Sequence, residues 1–452
     1  MENYQSSRRS FFKTSALGAL GTITVPALLT GCTGTGTKED RLKEVTVPEI
    51  LEKAPDGRPL KAGLVGCGGR GTGAALNFLD AGDGLQITAL GDVFKDRLDT
   101  CRETLKSKGH EIADANCFTG FDSYKKVIES GVDMVLLCTP PIFRPEHFDY
   151  AIERGKHCFI EKPCAVDPVG ARQVIVTGKK AERQGLSVIS GIAGRSAKSN
   201  IETYKRVAGG AIGEITSAHV SRMGSSLWFK ERLPEWSDME YLLRNWVNFC
   251  CTSGDFIVEM FIHQIDRMSW FMGDIPPVRA EATGGRQRRV TGDMYDFISV
   301  EYVWGDGNRR AHCTCRQIDG CDNQTIVMMY GTKGYTNCSN KIFNPDGSTM
   351  WEYPVPPRDH PDYQKMMPDS FVQEHIRLIA AIRTGKTVND IEGHALSTLM
   401  AIMGRESAYT GKFVTWEQIM SSNQKLSFDS YELGPIPGFN EIIPIPGTPP
   451  KV

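Results

Sequence analysis

Residues 66–71 read Gly-Cys-Gly-Gly-Arg-Gly. In this G-x-G-x-x-G spacing backbone N–H groups can approach a pyrophosphate closely, because no Cβ stands in the way. A glycine-rich turn alone is weak evidence, so its flanks decide. Leu60 to Val65 ahead of it is a short apolar run of strand character, and Ala74 to Leu79 behind it is apolar and helix-forming. Leu85 to Leu90 reads as a second strand closed by Gly91-Asp92. Strand, glycine turn, helix, strand and an acid about twenty positions further on is the arrangement that takes a dinucleotide. The pyrophosphate would sit at the helix N-terminus, where the dipole favours an anion. Asp92 would accept both adenosine-ribose hydroxyls and repel a 2′-phosphate, which points to NAD rather than NADP. The candidate contacts are Gly66, Gly68, Gly69, Arg70, Gly71 and Asp92; a βα turn without a ligand is the plainer alternative.

Two further crossovers extend the pattern. Val132 to Cys138 is almost continuously apolar, as in a strand buried on both faces, and it ends in Thr139-Pro140-Pro141. Thr139 and Pro140 thereby fall at the carboxyl edge, where doubly wound sheets bind ligands. After a helix reaching Ala151, His157 to Ile160 forms another strand, ending in Glu161-Lys162-Pro163. A lysine fixed there is placed to meet a substrate lying on a nicotinamide, although a solvated surface lysine is the bland reading. Further on, the apolar positions from Ile257 to Trp270 support one helix, on which Glu259, His263 and Asp266 share a face. A carboxylate set against an imidazole suits proton removal from a sugar hydroxyl: His263 as base, the acid raising its basicity. An ordinary surface His–acid pair is the alternative.

Together these motifs resemble the Gfo/Idh/MocA oxidoreductases, from about Pro59 to the C-terminus, with Gly331-Thr332-Lys333-Gly334 and Glu374-His375 fitting exported members. The resemblance implies a catalytic or substrate-orienting Lys162, Glu161 beside the cofactor, and an Asp-x-x-x-His-x-x-Asp pattern in which Glu259 replaces the first Asp. It also places Arg195, in Gly191-Ile192-Ala193-Gly194-Arg195, and Asp266 near substrate. Trp246 could stack on a sugar or lie in the core.

The fold expected is a Rossmann dinucleotide-binding domain, α/β, over residues 58–190. An α+β substrate domain over 191–452 follows it, with an open-faced antiparallel sheet and helices. The strands anticipated in the second half are Val278 to Ala282, Ile298 to Trp304 and Ala311 to Ile318, with Gly305 to Asn308 as a turn. The family's sheet commonly forms oligomer contacts, so a homo-oligomer is expected. Gly434 to Val452, rich in Pro and Gly, reads as extended chain that could wrap a neighbour.

Composition narrows the partners. A formal net charge of −2 on 452 residues makes no electrostatic case for nucleic acid or an anionic membrane. Arg8-Arg9 ahead of Phe11-Phe12 and a short apolar stretch resembles a Tat signal, and Leu29-Thr30-Gly31-Cys32 resembles a lipobox. Residues 1–32 are therefore expected to be a signal and 33–57 a linker, with export to the periplasm and a lipid anchor at Cys32. Most of the 13 cysteines sit in apolar runs as small hydrophobes. Cys250-Cys251 and Cys313/Cys315 lack paired CxxC spacing, so no metal is expected.

Little free NAD should be available outside the cytoplasm. The activity expected is thus oxidation at a sugar or glycoside C–OH, with NAD held tightly and recycled internally. The first alternative is net glycoside hydrolysis by transient oxidation and elimination, a chemistry the family contains. Lys162 is present and a Tyr-Pro-Thr-His segment is absent, so the family's N-acetylgalactosaminidase activity is not assigned. A non-catalytic sugar or nucleotide binding module is the second alternative.

Overall fold

The computed structural model describes residues 47–448 apart from 306, 429, 440 and 441. The signal and lipobox motifs lie outside them. Six strands build the first sheet: β1 (Leu60–Val65), β2 (Leu85–Asp92), β3 (Cys117–Thr119), β4 (Met134–Leu137), β5 (His157–Ile160) and β6 (Val188–Ser190). All pair in parallel, in the order β3-β2-β1-β4-β5-β6. Strand order reverses between β1 and β4, and there the carboxyl ends part to leave a crevice. Helices α1 (Gly69–Leu79), α2 (Lys95–Ser107), α3 (Ser123–Glu129), α4 (Arg144–Glu153) and α5 (Pro168–Arg183) make the crossovers. β4 is wholly buried, each large side chain contributing about 1.5–3 kcal/mol by leaving water.

After α6 (Lys198–Ala208) comes a nine-stranded sheet. Its strands are β7 (Ile215–Gly224), β8 (Arg279–Gly285), β9 (Phe297–Trp304), β10 (Arg309–Gln317), β11 (Gln324–Gly331), β12 (Gly334–Thr336), β13 (Lys341–Phe343), β14 (Thr349–Glu352) and β15 (Val414–Thr415). The meander β8-β9-β10 forms as expected, turning at Gly305 and Gly307, both at positive φ. The sheet departs from a purely antiparallel one at a single pair, because β7 lies parallel to β10. Helices α7 (Asp238–Arg244), α8 (Phe256–Glu259) and α9 (Ile262–Phe271) lie between β7 and β8 in the chain.

Two late segments return to the first sheet. Helix α10 (Ser370–Thr384) packs against α1, and Asn389, just ahead of α11 (Ile391–Thr410), bridges Val188 of β6. The extended C-terminal segment wraps its own chain rather than only reaching outward. Tyr431 packs on Phe143 and Phe121 at 5.1 and 6.2 Å, and Phe439 on Phe249 at 5.8 Å. Leu426 and Ile436 donate backbone N–H groups to Asp167 and Asp238. This strap joins α7 to the wall of the crevice.

Candidate active site

The glycine turn is shaped by two close approaches. Gly66 has φ +94°, and a Cβ there would lie 2.7 Å from the Cys138 and Thr139 backbone. A Cβ on Gly71 would lie 1.8 Å from the Gly66 carbonyl, so only glycine lets α1 start so near β1. Around Gly68 and Gly69, by contrast, no atom stands within 4 Å of a built Cβ. No side chain caps α1 and its first turn holds no acid, leaving N–H groups aimed at an open cradle. A Gly71→Ala chain is expected to bind NAD about 10- to 100-fold more weakly, the cost of the backbone shift being about 1–3 kcal/mol. Titration of NAD onto the purified variant checks this, and unaltered affinity would mean the loop is not the pyrophosphate seat.

The cradle opens into a cleft of about 610 Å³ lined by Gly66, Gly68, Gly69, Arg70, Gly71, Asp92, Thr139 and Pro140, among others. The Asp92 carboxylate is pinned at the rim, Oδ2 accepting from Cys67 N–H at 2.7 Å and Oδ1 from Phe94 N–H at 2.8 Å. Burial raises its pKa above the ordinary carboxyl value, the two backbone N–H bonds opposing the rise. Each oxygen keeps a lone pair for a ribose hydroxyl. The opposite wall holds Trp228, Phe229, Lys230, Arg244 and the half-buried Trp246. An open glycine cradle, a rim carboxylate and aromatic walls are what NAD requires, so the residues present fit it.

Glu161 does not line this cleft. It is buried, with Oε1 2.9 Å from Arg70 Nε and Oε2 accepting from Lys162 N–H. Arg70, braced also by Asn77 and by the Phe371 ring 4.9 Å away, is the group that reaches the cleft. Any action of Glu161 on a cofactor therefore passes through Arg70.

The single helix anticipated from Ile257 to Trp270 is broken. Asp255, at φ +74°, caps α8, and Phe261 N–H bonds back five residues to the Phe256 carbonyl. This widened turn ends α8 at Glu259 and starts α9 at Ile262. Lys162 Nζ donates to the Glu259 carbonyl and, at 2.7 Å, to its Oε1. The side chains of the pair are 11% and 9% exposed. Glu259 thus orients Lys162 instead of His263, which corrects the predicted dyad. His263 sits one step away, its pKa held well below the ordinary imidazole value by burial and by Lys162, Arg222, Arg267 and His394. It is unprotonated at neutral pH.

Asp266 and Arg195, expected near a substrate, are paired with each other at the wall of a separate cavity of about 200 Å³. Arg195 Nη2 meets Asp266 Oδ1 at 2.8 Å, Asp274 takes its other edge at 2.7 Å, and Ser397 donates to Asp266. Asp266 is buried and this cluster ties α9 to the turn after β6 and to α11. Sequence reasoning missed Arg222, Arg267 and His394. Arg267 had a readable signal, standing four residues after His263. His394 lies in α11, over a hundred residues on, and only folding brings its buried imidazole, its pKa lowered to about 3 by burial and nearby cations including Lys162, into this neighbourhood. Among the described residues no group of three or more His, Cys, Asp or Glu is placed to hold a metal.

Comparison with known proteins agrees with this geometry. Residues 60–190 match the model of the oxidoreductase family with an NAD-binding Rossmann fold, and 204–415 match that family's C-terminal alpha/beta domain. A glycosyl hydrolase family 109 protein of Solibacter usitatus is 27% identical over 41% of this chain and 43% of its own length. Glycosyl hydrolase family 109 protein 2 of Phocaeicola vulgatus is 24% identical over 68% of this chain and 74% of itself. Scyllo-inositol dehydrogenase from Lactobacillus casei, solved with NAD(H) and scyllo-inositol, superposes at a TM-score of 0.58 with 19% identity, over 79% of this chain and 99% of that one. The last shares the fold. With both domain models matched in order across a glycine cradle, a pinned Asp92 and an oriented Lys162, the chain belongs to the Gfo/Idh/MocA oxidoreductase family.

Proposed function

We propose that this protein is an NAD-dependent oxidoreductase acting on a sugar or glycoside C–OH, with its cofactor retained and restored within each cycle. The observation that carries the reading is Lys162, oriented by Glu259 just past the carboxyl end of β5, at the same carboxyl edge of the sheet as the open glycine cradle that follows β1. NAD held by Gly66 to Gly71, Asp92, Thr139 and Pro140 would supply the hydride acceptor. Lys162 Nζ would donate to the substrate oxygen and stabilise the charge growing there. His263, unprotonated, would take the hydroxyl proton. Trp246, on the cleft wall, offers a face to a sugar ring.

Retention is supported by the C-terminal strap, whose Tyr431 packs on Phe121 and Phe143 of the cleft wall. Retention also suits export, since an enzyme outside the cytoplasm cannot draw on free NAD. Tat export with a lipid anchor at Cys32 belongs to this proposal and rests on Arg8-Arg9 and Leu29 to Cys32. A homo-oligomer, a dimer or tetramer, formed through the open face of the nine-stranded sheet belongs to the same proposal. The family 109 relatives favour a second reading, redox-neutral glycoside hydrolysis by transient oxidation, elimination, water addition and re-reduction.

Freshly purified protein, denatured without added cofactor, is expected to release about one NAD per chain, measured by absorbance and mass. Aryl glycosides and sugar pairs then separate hydrolysis from oxidation. Empty protein turning over rapidly on free NAD would remove retention, and failure to bind NAD would remove the reading.

A further inference from the structure

The cations around His263 outnumber the acids. Lys162 is neutralised by Glu259 at 2.7 Å, but two guanidinium groups remain. Arg222 stands on β7 in the same parity as Ala218 and Val220, which are 5% and 0% exposed, so it faces the side of the sheet on which α9 packs. Arg267 follows His263 by one turn of α9 and shares its face. Its Nη2 lies 3.6 Å from where a Gly194 Cβ would stand, in the turn that follows β6. β6 neighbours β5, and Lys162 follows β5. Lys162, Arg222 and Arg267 therefore gather round His263 at one carboxyl edge.

Neither arginine has an ion pair with an acid among the described residues. Arg267 Nε is buried without a hydrogen-bond partner, and its neighbour Asp266 is taken by Arg195 and Ser397. Other arginines with little exposure are engaged: Arg144 with the Pro163 carbonyl, Arg195 with two aspartates, Arg289 with Asp296, Arg405 with Glu406 and two carbonyls. For Arg267, whose Nε is buried with no hydrogen-bond partner and whose neighbouring acid Asp266 is already shared with Arg195, leaving water is costly. Its planar fork matches a carboxylate in two parallel hydrogen bonds.

We propose that this site takes an acidic sugar, its carboxylate received by Arg222 and Arg267 while Lys162 and His263 work on a ring hydroxyl. A uronic acid has this chemistry. The inference rests on the preceding reading of Lys162 and His263 as the reacting pair. An incoming carboxylate would also offset the positive charge that now depresses His263, making the imidazole a better base.

NAD-loaded protein is titrated calorimetrically with D-glucuronate against D-glucose and with D-galacturonate against D-galactose. In at least one pair the acid is expected to bind about tenfold or more tightly than the neutral sugar, with the gap narrowing as salt rises. Arg222→Gln and Arg267→Gln should each weaken the acid about tenfold and the neutral sugar less than about threefold. Arg222→Lys should retain part of the preference, and melting curves show that each variant is folded. Equal binding of acid and neutral sugar, binding of neither, or equal loss of both in the variants overturns the inference. NAD content of the same samples keeps the two readings apart: protein loaded with NAD yet indifferent to the carboxylate loses this inference alone.

Discussion

A Lys162→Met chain is expected to retain its NAD and lose turnover by about a hundred- to ten-thousand-fold, the range for removing a charge-stabilising donor or a proton-transfer group. The fall should appear in kcat more than in KM, because the hydrogen bond strengthens as charge develops on the substrate oxygen. Methionine has nearly the length of lysine and fills its space, so the defect is the missing ammonium. A second effect must be separated. Glu259 would be left 9% exposed without its partner at 2.7 Å, and stranding a buried charge costs about 3–5 kcal/mol. Lys162→Met with Glu259→Gln should therefore recover most of the lost stability and none of the turnover. Melting temperature and single-turnover rate, measured on both chains, check the two halves. Unchanged turnover in Lys162→Met removes the lysine from the chemistry. Turnover recovered in the double variant would reduce its role to packing.

The second large effect is a pair of opposite pH dependences from adjacent residues. Glu374 and His375 in α10 are 1% and 0% exposed, and no side-chain N or O of either finds a hydrogen-bond partner. Burial, with Glu161 adding to it, lifts the Glu374 pKa well above the usual carboxyl range, so the folded chain holds it as a neutral acid. Burial against Phe159, 4.4 Å between ring centroids, lowers His375 to about 3 and keeps it a neutral base. For Glu374 the folded state binds more protons than the unfolded one above about pH 4.5, so stability falls as pH rises towards the folded pKa. For His375 the unfolded state binds the extra proton between about 6.5 and 3, so stability falls as pH drops through that window.

Each slope is roughly 1.4 kcal/mol per pH unit. Glu374→Gln is expected to gain stability over the parent chain as pH rises above about 4.5, by up to about 1.4 kcal/mol per pH unit, with the advantage vanishing towards pH 4. His375→Phe should be near neutral at pH 7.5 and about 2 kcal/mol more stable than the parent at pH 5. Denaturant unfolding at several pH values measures both. Parallel curves for the parent and either variant would mean that group titrates alike in both states.

Local chemistry was legible wherever it obeys short-range rules. The glycine turn, Asp92, Thr139-Pro140 and Lys162 were readable because a strand followed by a tight turn fixes its carboxyl-end residues within a few positions of the motif. The meander β8-β9-β10 was legible for the same reason, from alternation and two turn glycines. β7 was not anticipated, and it carries Arg222; its central position depends on pairing with β10 and β11, about a hundred residues away.

The cluster of Lys162, Glu259, His263 and Asp266 shows where periodicity stops. Spacing put Glu259, His263 and Asp266 on one helical face, and an unbroken helix would have kept them there. The turn at Met260-Phe261 separates Glu259 from the other two, because Asp255 caps a short helix and Lys162 takes up the Glu259 carbonyl that an unbroken helix would occupy. Glu259 then answers Lys162, and Asp266 answers Arg195. Residue types and order were enough to determine the dinucleotide turn, its family and the lysine at the strand end. Which acid pairs with which base, and that two arginines are left facing His263 without an acid, only the tertiary structure decided, because ion pairs depend on distances of a few ångströms between segments that chain order does not bring together.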